Sequence, residues 1–410
     1  MLQKPRGTRD FLPAEMEQRR AVERTMRETA ARWGYGEVCT PTFEEIELFT
    51  LRSGEGIIQE MYAFEDKGGR MLSLRPEITA SVLRMYVNEG RMLPKPVRWC
   101  YYADCFRYER PQKGRYRQFW QFGVELIGAD TAAADAEVIM VASDILAGSG
   151  VTFDLHVGHL APMKHLLSGL ENGIQRRMMA YLDKRDFEGL RVFCETAGAA
   201  GRYDALVALP ECRTVEELRD LCGNLPELSR IEDVVGILDA EGLTYTPDFG
   251  IARGLDYYTG MVFEAFAENL GAENQICGGG AYRLAYLFGG EDVPSCGFAI
   301  GFDRVLVSLG EVAGSRPVVT SVLYTPAARQ QAFAVARQFR AADLRAEMNL
   351  IDRGIGAQMK HAAKTADFAI VLGERECQTG TVTLRNLHSG EQRECTVDDA
   401  IAGVKAFGSC

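Results

Sequence analysis

Phe106-Arg107-Tyr108-Glu109-Arg110-Pro111-Gln112-Lys113-Gly114-Arg115-Tyr116-Arg117-Gln118-Phe119 lies between two segments of strand character. Val97-Arg98-Trp99-Cys100-Tyr101-Tyr102 leads into it, and Phe119 through Ile127 alternates after it, so residues 97–127 read as strand, polar loop, strand. Five cations stand against one acid within residues 107–117, in a chain whose formal net charge is −11. A loop of this kind suits a polyphosphate, with Arg107 gripping phosphate oxygens bidentately and Phe119 offering a face to a purine. A solvated basic hairpin has the same composition, and these residues alone leave both readings open.

Upstream, Lys4-Pro5-Arg6-Gly7-Thr8-Arg9-Asp10 reads as a loop before a helix from about Ala14 to Trp33. Val22, Met26, Ala30 and Trp33 recur at helical spacing and predict one buried stripe. Gly34-Tyr35-Gly36 stops the helix, and Glu37-Val38-Cys39-Thr40-Pro41 is extended. Downstream, Val151, Phe153, Leu155 and Val157 alternate, residues 164–243 are helix-like, and strand signals return at Val262-Phe263-Glu264-Ala265-Phe266. The pattern predicts a helical insertion within a sheet-based domain. Ala313-Gly314-Ser315-Arg316-Pro317 reads as a linker. Beyond it come strand 318–324, helix 327–341, strand 344–350, helix 355–365, strand 367–372, two strands flanking His388-Ser389-Gly390, and a helix near 398–407. That alternation predicts a small α/β module with a partly parallel sheet.

A length of 410 residues implies two or three domains, and 47% hydrophobic with 25% charged residues excludes wholesale disorder. No run approaches 18 uncharged apolar residues, and the N-terminus lacks the apolar core of a signal peptide. Eleven cysteines without a C-x-x-C pair predict reduced thiols in a cytoplasmic protein. The negative charge argues against indiscriminate coating of nucleic acid but allows a local basic site. Residues 318–410 hold 11 Lys/Arg against 10 Asp/Glu, leaving 35 against 47 for residues 1–317, which marks the last quarter as a separate module.

Three more clusters carry polar groups between glycines: Ala252-Arg253-Gly254-Leu255-Asp256-Tyr257-Tyr258-Thr259-Gly260, Cys277-Gly278-Gly279-Gly280-Ala281-Tyr282, and Gly297-Phe298-Ala299-Ile300-Gly301-Phe302-Asp303-Arg304. The first can line a polar pocket or be a turn with two core tyrosines. The second allows close backbone approach to a ligand or is a tight turn, and it is neither a dinucleotide fingerprint nor a Walker loop. His156, His159 and His165 are discounted as a metal site because alternation puts residues three apart on opposite faces. Cys100 and Cys105 fit burial in a hairpin.

Together and in this order, these segments resemble the histidyl-tRNA synthetases, a family of class II aminoacyl-tRNA synthetases, over nearly the whole chain. Pro5-Arg6-Gly7-Thr8-Arg9-Asp10 is similar to the family's opening. Gly34 to Pro41 with Phe43-Glu44 is similar to class II motif 1, which the family uses at its dimer interface. Phe106 to Glu125 resembles motif 2, and Gly297 to Arg304 resembles motif 3. Arg253-Gly254-Leu255-Asp256-Tyr257-Tyr258 and the glycine run ending at Tyr282 resemble two signatures of the histidine enzymes. One departure is Ala281 and Arg283, where the family commonly has Arg and Asp.

The resemblance implies an α/β chain: an α+β catalytic core on an antiparallel sheet (1–163 and 244–312), a helical insertion (164–243) clamping the acceptor end of tRNA, a linker (313–317) and an α/β anticodon-binding domain (318–410). It implies histidine–tRNA ligation by a cytoplasmic homodimer using L-histidine, ATP with Mg²⁺ and a histidine-specific tRNA, with no membrane partner and no metal ligand assigned on the chain. Glu77 and Thr79, with Gln121, are implied to hold the ammonium group, and Glu125 and Tyr258 the imidazole nitrogens. Ile78, Tyr257 and Tyr282, with Arg107 and Arg253, complete the histidine set. Arg107 is implied at the α-phosphate and Arg115 at the outer phosphates, with Glu109 beside them and Phe119 and Arg304 on the adenine. Arg253 is expected where the carboxylate attacks, so Arg107 and Arg253 are the expected catalytic residues. Such an attack gathers negative charge at phosphorus, which calls for fixed cations and no general base. A pocket hydrogen-bonding two ring nitrogens rejects analogues lacking them by roughly 10⁴–10⁵, so no editing domain is expected. The rival expectation is a catalytically silent paralogue regulating histidine biosynthesis, a type that loses the Arg253 signature and the C-terminal module.

Overall fold

The computed structural model describes residues 2–408 apart from 54, 111–113, 253–256, 271–273, 311–317 and 352. Arg253 and the linker expected at 313–317 lie outside the described residues. Two units form, Met1–Val312 and Ala313–Cys410.

In the first unit the strands are β1 (Gly36–Glu37), β2 (Phe43–Glu45), β3 (Tyr62–Glu65), β4 (Met71–Leu74), β5 (Val97–Phe106), β6 (Gln118–Ile127), β7 (Asp154–His159), β8 (Thr246–Pro247), β9 (Tyr258–Phe266), β10 (Gln275–Tyr282) and β11 (Ser295–Gly301). Eight of them make one sheet in the order β1-β5-β6-β11-β10-β9-β7-β8, antiparallel except at the two edge pairs. The other three form a small sheet, β2-β4-β3. Strand alternation gives the large sheet two different faces. Phe122, Val124 and Leu126 of β6, Phe298 and Ile300 of β11 and Phe263 of β9 pack into one core with helices Pro13–Arg32, Ala132–Gly148 and Leu228–Ala240. The opposite face carries the intervening residues, and the candidate site lies on it.

Helix Pro13–Arg32 forms where its spacing predicts, with Val22, Met26 and Ala30 buried and Gly34 at φ +82° beyond its end. The extended segment after it is shorter than expected: only Gly36 and Glu37 pair in register with β5, and the Val38 amide adds one bond to Cys100 O at 2.8 Å. The glycine run 278–280 is the interior of β10 rather than a turn.

Residues 160–240 are helical, and Met178, Leu182, Leu190, Cys194, Leu206 and Leu218 form a separate apolar cluster. The second unit has β12 (Val319–Tyr324), β13 (Arg345–Met348), β14 (Phe368–Leu372), β15 (Val382–Asn386) and β16 (Gln392–Cys395), in the order β13-β12-β14-β15-β16. The first three are parallel and the last two antiparallel. Val322, Val335, Phe339, Ile370 and Val404 are in its core. Helix Glu374–Thr379 had no counterpart in the sequence reading.

His159 ends β7 and caps helix Leu160–Leu167, its Nδ1 accepting the Ala161 amide at 3.1 Å. The cap requires the neutral ring, and burial followed by nearby Arg230 and Lys164 pushes its pKa from 6.5 down to about 4. The unfolded chain therefore binds a proton more readily, so the cap's contribution is present above pH 6.5 and is lost as pH falls toward about 4. The full loss is on the order of 3 kcal/mol. Urea unfolding between pH 7 and 4 should show a smaller pH dependence in His159→Asn, which caps without titrating; identical slopes would remove His159 from that account.

Candidate active site

Two neighbouring cavities open on the free face of the large sheet. The smaller, about 300 Å³, is lined by Glu77, Thr79, Arg107, Gln121, Tyr257, Tyr258 and Tyr282 among others. The larger, about 580 Å³, is lined by Arg107, Glu109, Arg115, Phe119, Gln121, Glu264 and Arg304 among others. Arg107, Gln121, Tyr257, Tyr258, Gly278 and Ala299 line both, so the cavities meet there.

Register explains why space exists. Gly123 of β6 stands opposite Ala299 of β11, Ala299 opposite Gly278 of β10, and Gly278 opposite Glu264 of β9. The next row on the same face is Glu125, Gly297, Gly280 and Val262. The centre of the face thus carries glycine and alanine where a sheet ordinarily carries large side chains. A Cβ on Gly297 would lie 2.2 Å from Glu125 Oε2, so only glycine lets that carboxylate rest on the neighbouring strand.

Glu125 is 1% exposed and is not itself among the residues lining either cavity; it lies against Tyr282 and Gly297, which line the smaller one. The Tyr282 hydroxyl donates to Glu125 Oε2, and the Tyr101 hydroxyl lies 3.5 Å from Oε1. Burial, then the Glu125 charge, raises the Tyr282 hydroxyl well above its ordinary pKa, which keeps it a donor. Glu77 accepts from the Ala80 amide at 3.2 Å at the start of helix Thr79–Met85, facing the cavity beside Thr79. Ile78 differs from expectation. Its side chain is 1% exposed and packs with Val82, Tyr101 and Cys105, because an apolar residue between two polar ones at a helix start turns into the core.

In the larger cavity, Arg107 Nε donates to Pro76 O at 2.9 Å, and its guanidinium lies 5.2 Å from the Phe119 ring centroid. Arg304 donates to Gln275 O at 2.7 Å and Gly114 O at 3.3 Å, which fixes it across the basic loop. Arg115 pairs with Glu109. Phe119, Gln121 and Glu125 fall on one face of β6 by alternation.

Several residues have no role among the expectations from sequence. Asp303, 2% exposed, accepts from Arg9 at 2.5 Å, Arg19 at 2.7 Å and the Trp120 amide at 2.7 Å. It joins the opening segment, the first helix and β6 beside the cavity. Glu264 takes a hydrogen bond from Gln275 at 2.9 Å; its signal was an acid inside an otherwise apolar strand. Asp183, from the helical region, also lines the larger cavity, and nothing in its local sequence marks it. Arg283, at the departure from the family pattern, pairs with Asp130 at 2.7 Å and Asp292 at 3.3 Å. His156 faces Asp248 while His159 caps a helix, and no group of three or more His, Cys, Asp or Glu suited to a metal occurs among the described residues.

The family model for histidyl-tRNA synthetase matches residues 7–305, and one for an anticodon-binding domain matches residues 316–407. The chain belongs to the histidyl-tRNA synthetase family. It is 68% identical over 410 residues to a histidine–tRNA ligase of Methanoculleus marisnigri, covering 100% of both chains. It is 66% identical over 409 residues to that of Methanoregula boonei, again over 100% of both. The apo histidyl-tRNA synthetase of Staphylococcus aureus superposes with a TM-score of 0.74 at 27% identity, covering 98% of this chain and 100% of that one. The class II histidyl-tRNA synthetase fold with a C-terminal anticodon-binding domain is thus the fold of this chain. Among the described residues no helix is long and apolar enough to cross a membrane.

The Gly297 contact has a measurable consequence. Gly297→Ala should displace Glu125 from Tyr282 and lower stability by about 1–3 kcal/mol, an overpacking cost. Urea unfolding with an unchanged midpoint would mean that the carboxylate yields without penalty.

Proposed function

We propose that the two joined cavities form histidyl-adenylate and pass its histidyl group to tRNA. The observation that carries this reading is the junction itself. A cavity walled by acids and hydroxyls meets one walled by arginines and an aromatic ring, and Arg107 lines both. Histidine–tRNA ligase is the activity of the relatives, and this chain shares it over its full length.

Histidine enters the smaller cavity. Glu77, Thr79 and Gln121 hold its ammonium group, with Tyr257 closing the wall. Glu125 and Tyr258 take the two imidazole nitrogens. Tyr282 orients Glu125 through the bond between them. ATP lies in the larger cavity, its adenine between Phe119 and Arg304 and its outer phosphates on Arg115, which Glu109 steadies. A histidine carboxylate oxygen then attacks the α-phosphorus, a new O–P bond forms, and pyrophosphate leaves. Arg107 and Arg253 meet the charge that develops in that step, which needs no proton from the chain. Mg²⁺ commonly uses few protein carboxylates besides substrate phosphates, and Glu264 on the wall of the larger cavity fits as one. When bound, the ion would supply further charge neutralisation on the phosphates. A terminal hydroxyl of tRNA next attacks the activated carbonyl, releasing AMP.

Residues 1–163 with 244–312 serve as the catalytic core, 164–243 as a clamp on the acceptor end, and 318–410 as the anticodon reader across the 313–317 linker. The silent paralogue is disfavoured because that type lacks the C-terminal module, and a match to an anticodon-binding domain covers residues 316–407 here. The enzyme works in the cytoplasm as a homodimer. Phe43 and Phe64, 52% and 42% exposed on one face of the β2-β4-β3 sheet, support an interface next to the motif 1 segment.

Purified protein should catalyse ATP–pyrophosphate exchange that depends on histidine. Glu125→Ala removes the charged partner of the imidazole, at a cost of about 1–3 kcal/mol or more. Histidine activation should fall by at least about tenfold at sub-saturating histidine while ATP binding persists. Exchange equal to wild type would remove Glu125 from the pocket, and wild-type protein inactive with histidine would overturn the reading.

A further inference from the structure

Asp248 lies just beyond β8 and has no role in the reading above. It is only 6% exposed, and its carboxylate ties its own loop to β7 and to the turn after helix Asn172–Asp183. Oδ1 accepts the Gly250 amide at 3.0 Å. Oδ2 lies 3.0 Å from His156 Nδ1 on β7 and 3.3 Å from Arg185 Nη2 in the helical region. Each partner leads, within two residues or one ring contact, to the wall of the larger cavity. Gly250 precedes Ile251, which lines it. Arg185 follows Asp183, which lines it, and holds a left-handed φ of 51° in the turn that ends helix Asn172–Asp183. The His156 ring stands edge-on to Phe266, centroids 5.0 Å apart, and Phe266 lines it as well.

The helical region presses on the same segment from a second direction. A Cβ on Gly250 would lie 2.6 Å from the Pro210 ring, so the backbone at 250 sits directly against the insertion. Burial opposes ionisation of Asp248, but the His156 and Gly250 hydrogen bonds and the Arg185 charge outweigh it and hold the carboxyl below the ordinary aspartate range. An ionised carboxylate with partners in its own loop, on β7 and in the insertion fixes their separation more tightly than apolar packing does.

We infer that Asp248 is a positioning residue for adenylate formation: through Gly250, Arg185 and His156 it sets the wall made by Ile251, Asp183 and Phe266, and so couples the helical insertion to the nucleotide cavity. This rests on the adenylate reading of that cavity. A misplacement of about 1 Å in such a wall can cost on the order of 10² in rate, without a comparable loss of ground-state binding.

The test is histidine-dependent ATP–pyrophosphate exchange with the full-length protein, comparing wild type, D248A, D248N, R185A and the D248N/R185A pair. D248A should lower kcat by about 10–100-fold while KM for ATP and histidine change less than about threefold. D248N keeps an acceptor for the Gly250 amide and should recover part of that loss. R185A removes a side chain that is 67% exposed and should not impair folding, so it decides the matter even if D248A fails to fold. It should lower kcat by about 3–10-fold with an unchanged melting temperature, and adding it to D248N should cost nothing further, since both break one link. Folded R185A and D248N with wild-type kcat would overturn the proposal and leave the adenylate reading intact, as would a loss in D248A confined to stability. Wild-type protein without exchange would overturn both.

Discussion

Glu125 lies against a strand neighbour that has no side chain, and most of the site depends on that contact. A carboxylate 1% exposed needs partners, and Tyr282 and Tyr101 supply hydroxyls from β10 and β5. It also needs room, which Gly297 provides by lacking the Cβ that would come within 2.2 Å. Gly123, Ala299 and Gly278 keep the adjacent row equally low. One sheet face therefore holds a floor of backbone between walls from β6 and β9. Hydrogen-bonding groups stand at one end and cations at the other. Phe119, Gln121 and Glu125 are spaced along that floor by the strand rise of about 3.3 Å per residue, whereas Arg107 and Arg115 come from the loop between β5 and β6.

A second constraint fixes the basic hairpin to the rest of the unit. Asp303 binds Arg9, Arg19 and the Trp120 amide, while Arg19 stacks over Phe11 at 4.1 Å and Trp120 at 4.6 Å. Arg19 is 4% exposed, so loss of Asp303 would leave a buried cation without its counter-charge, at a cost of about 3–5 kcal/mol. The opening segment is thereby part of the site's scaffold, since Arg9 also lies 3.5 Å above the Tyr116 ring in the basic loop. Clustered arginines need such support, because like charges repel one another where no counter-ion lies between them.

Much of this was legible in the residues. The alternation around 97–127 predicted the hairpin, and Phe119, Gln121 and Glu125 share a face because strands repeat every two residues. The α/β order of the last quarter followed from its periodicity, and β12 to β16 lie close to the predicted spans. Other features were hidden for physical reasons. The run 278–280 has no side chains to alternate, so it carried no strand signal, although register with β9 and β11 makes it a central strand. The β2-β4-β3 sheet uses strands of three or four residues, too short for a period to show. Ile78 followed the general tendency of apolar residues to turn inward rather than the motif around it. Asp248 and Asp303 pair with histidine and arginine side chains 63 to 294 positions away in sequence, which no local pattern records.

The claim on which the rest turns is that Glu125, held by Tyr282 over Gly297, faces the substrate's imidazole. A crystal structure of the protein with histidine bound tests it directly. The account predicts the ring in the smaller cavity, over the Gly297–Gly280 floor, with one nitrogen about 2.7–3.2 Å from Glu125 and the other near Tyr258. A ring in the larger cavity, with Glu125 bonded only to the two tyrosines, would contradict it.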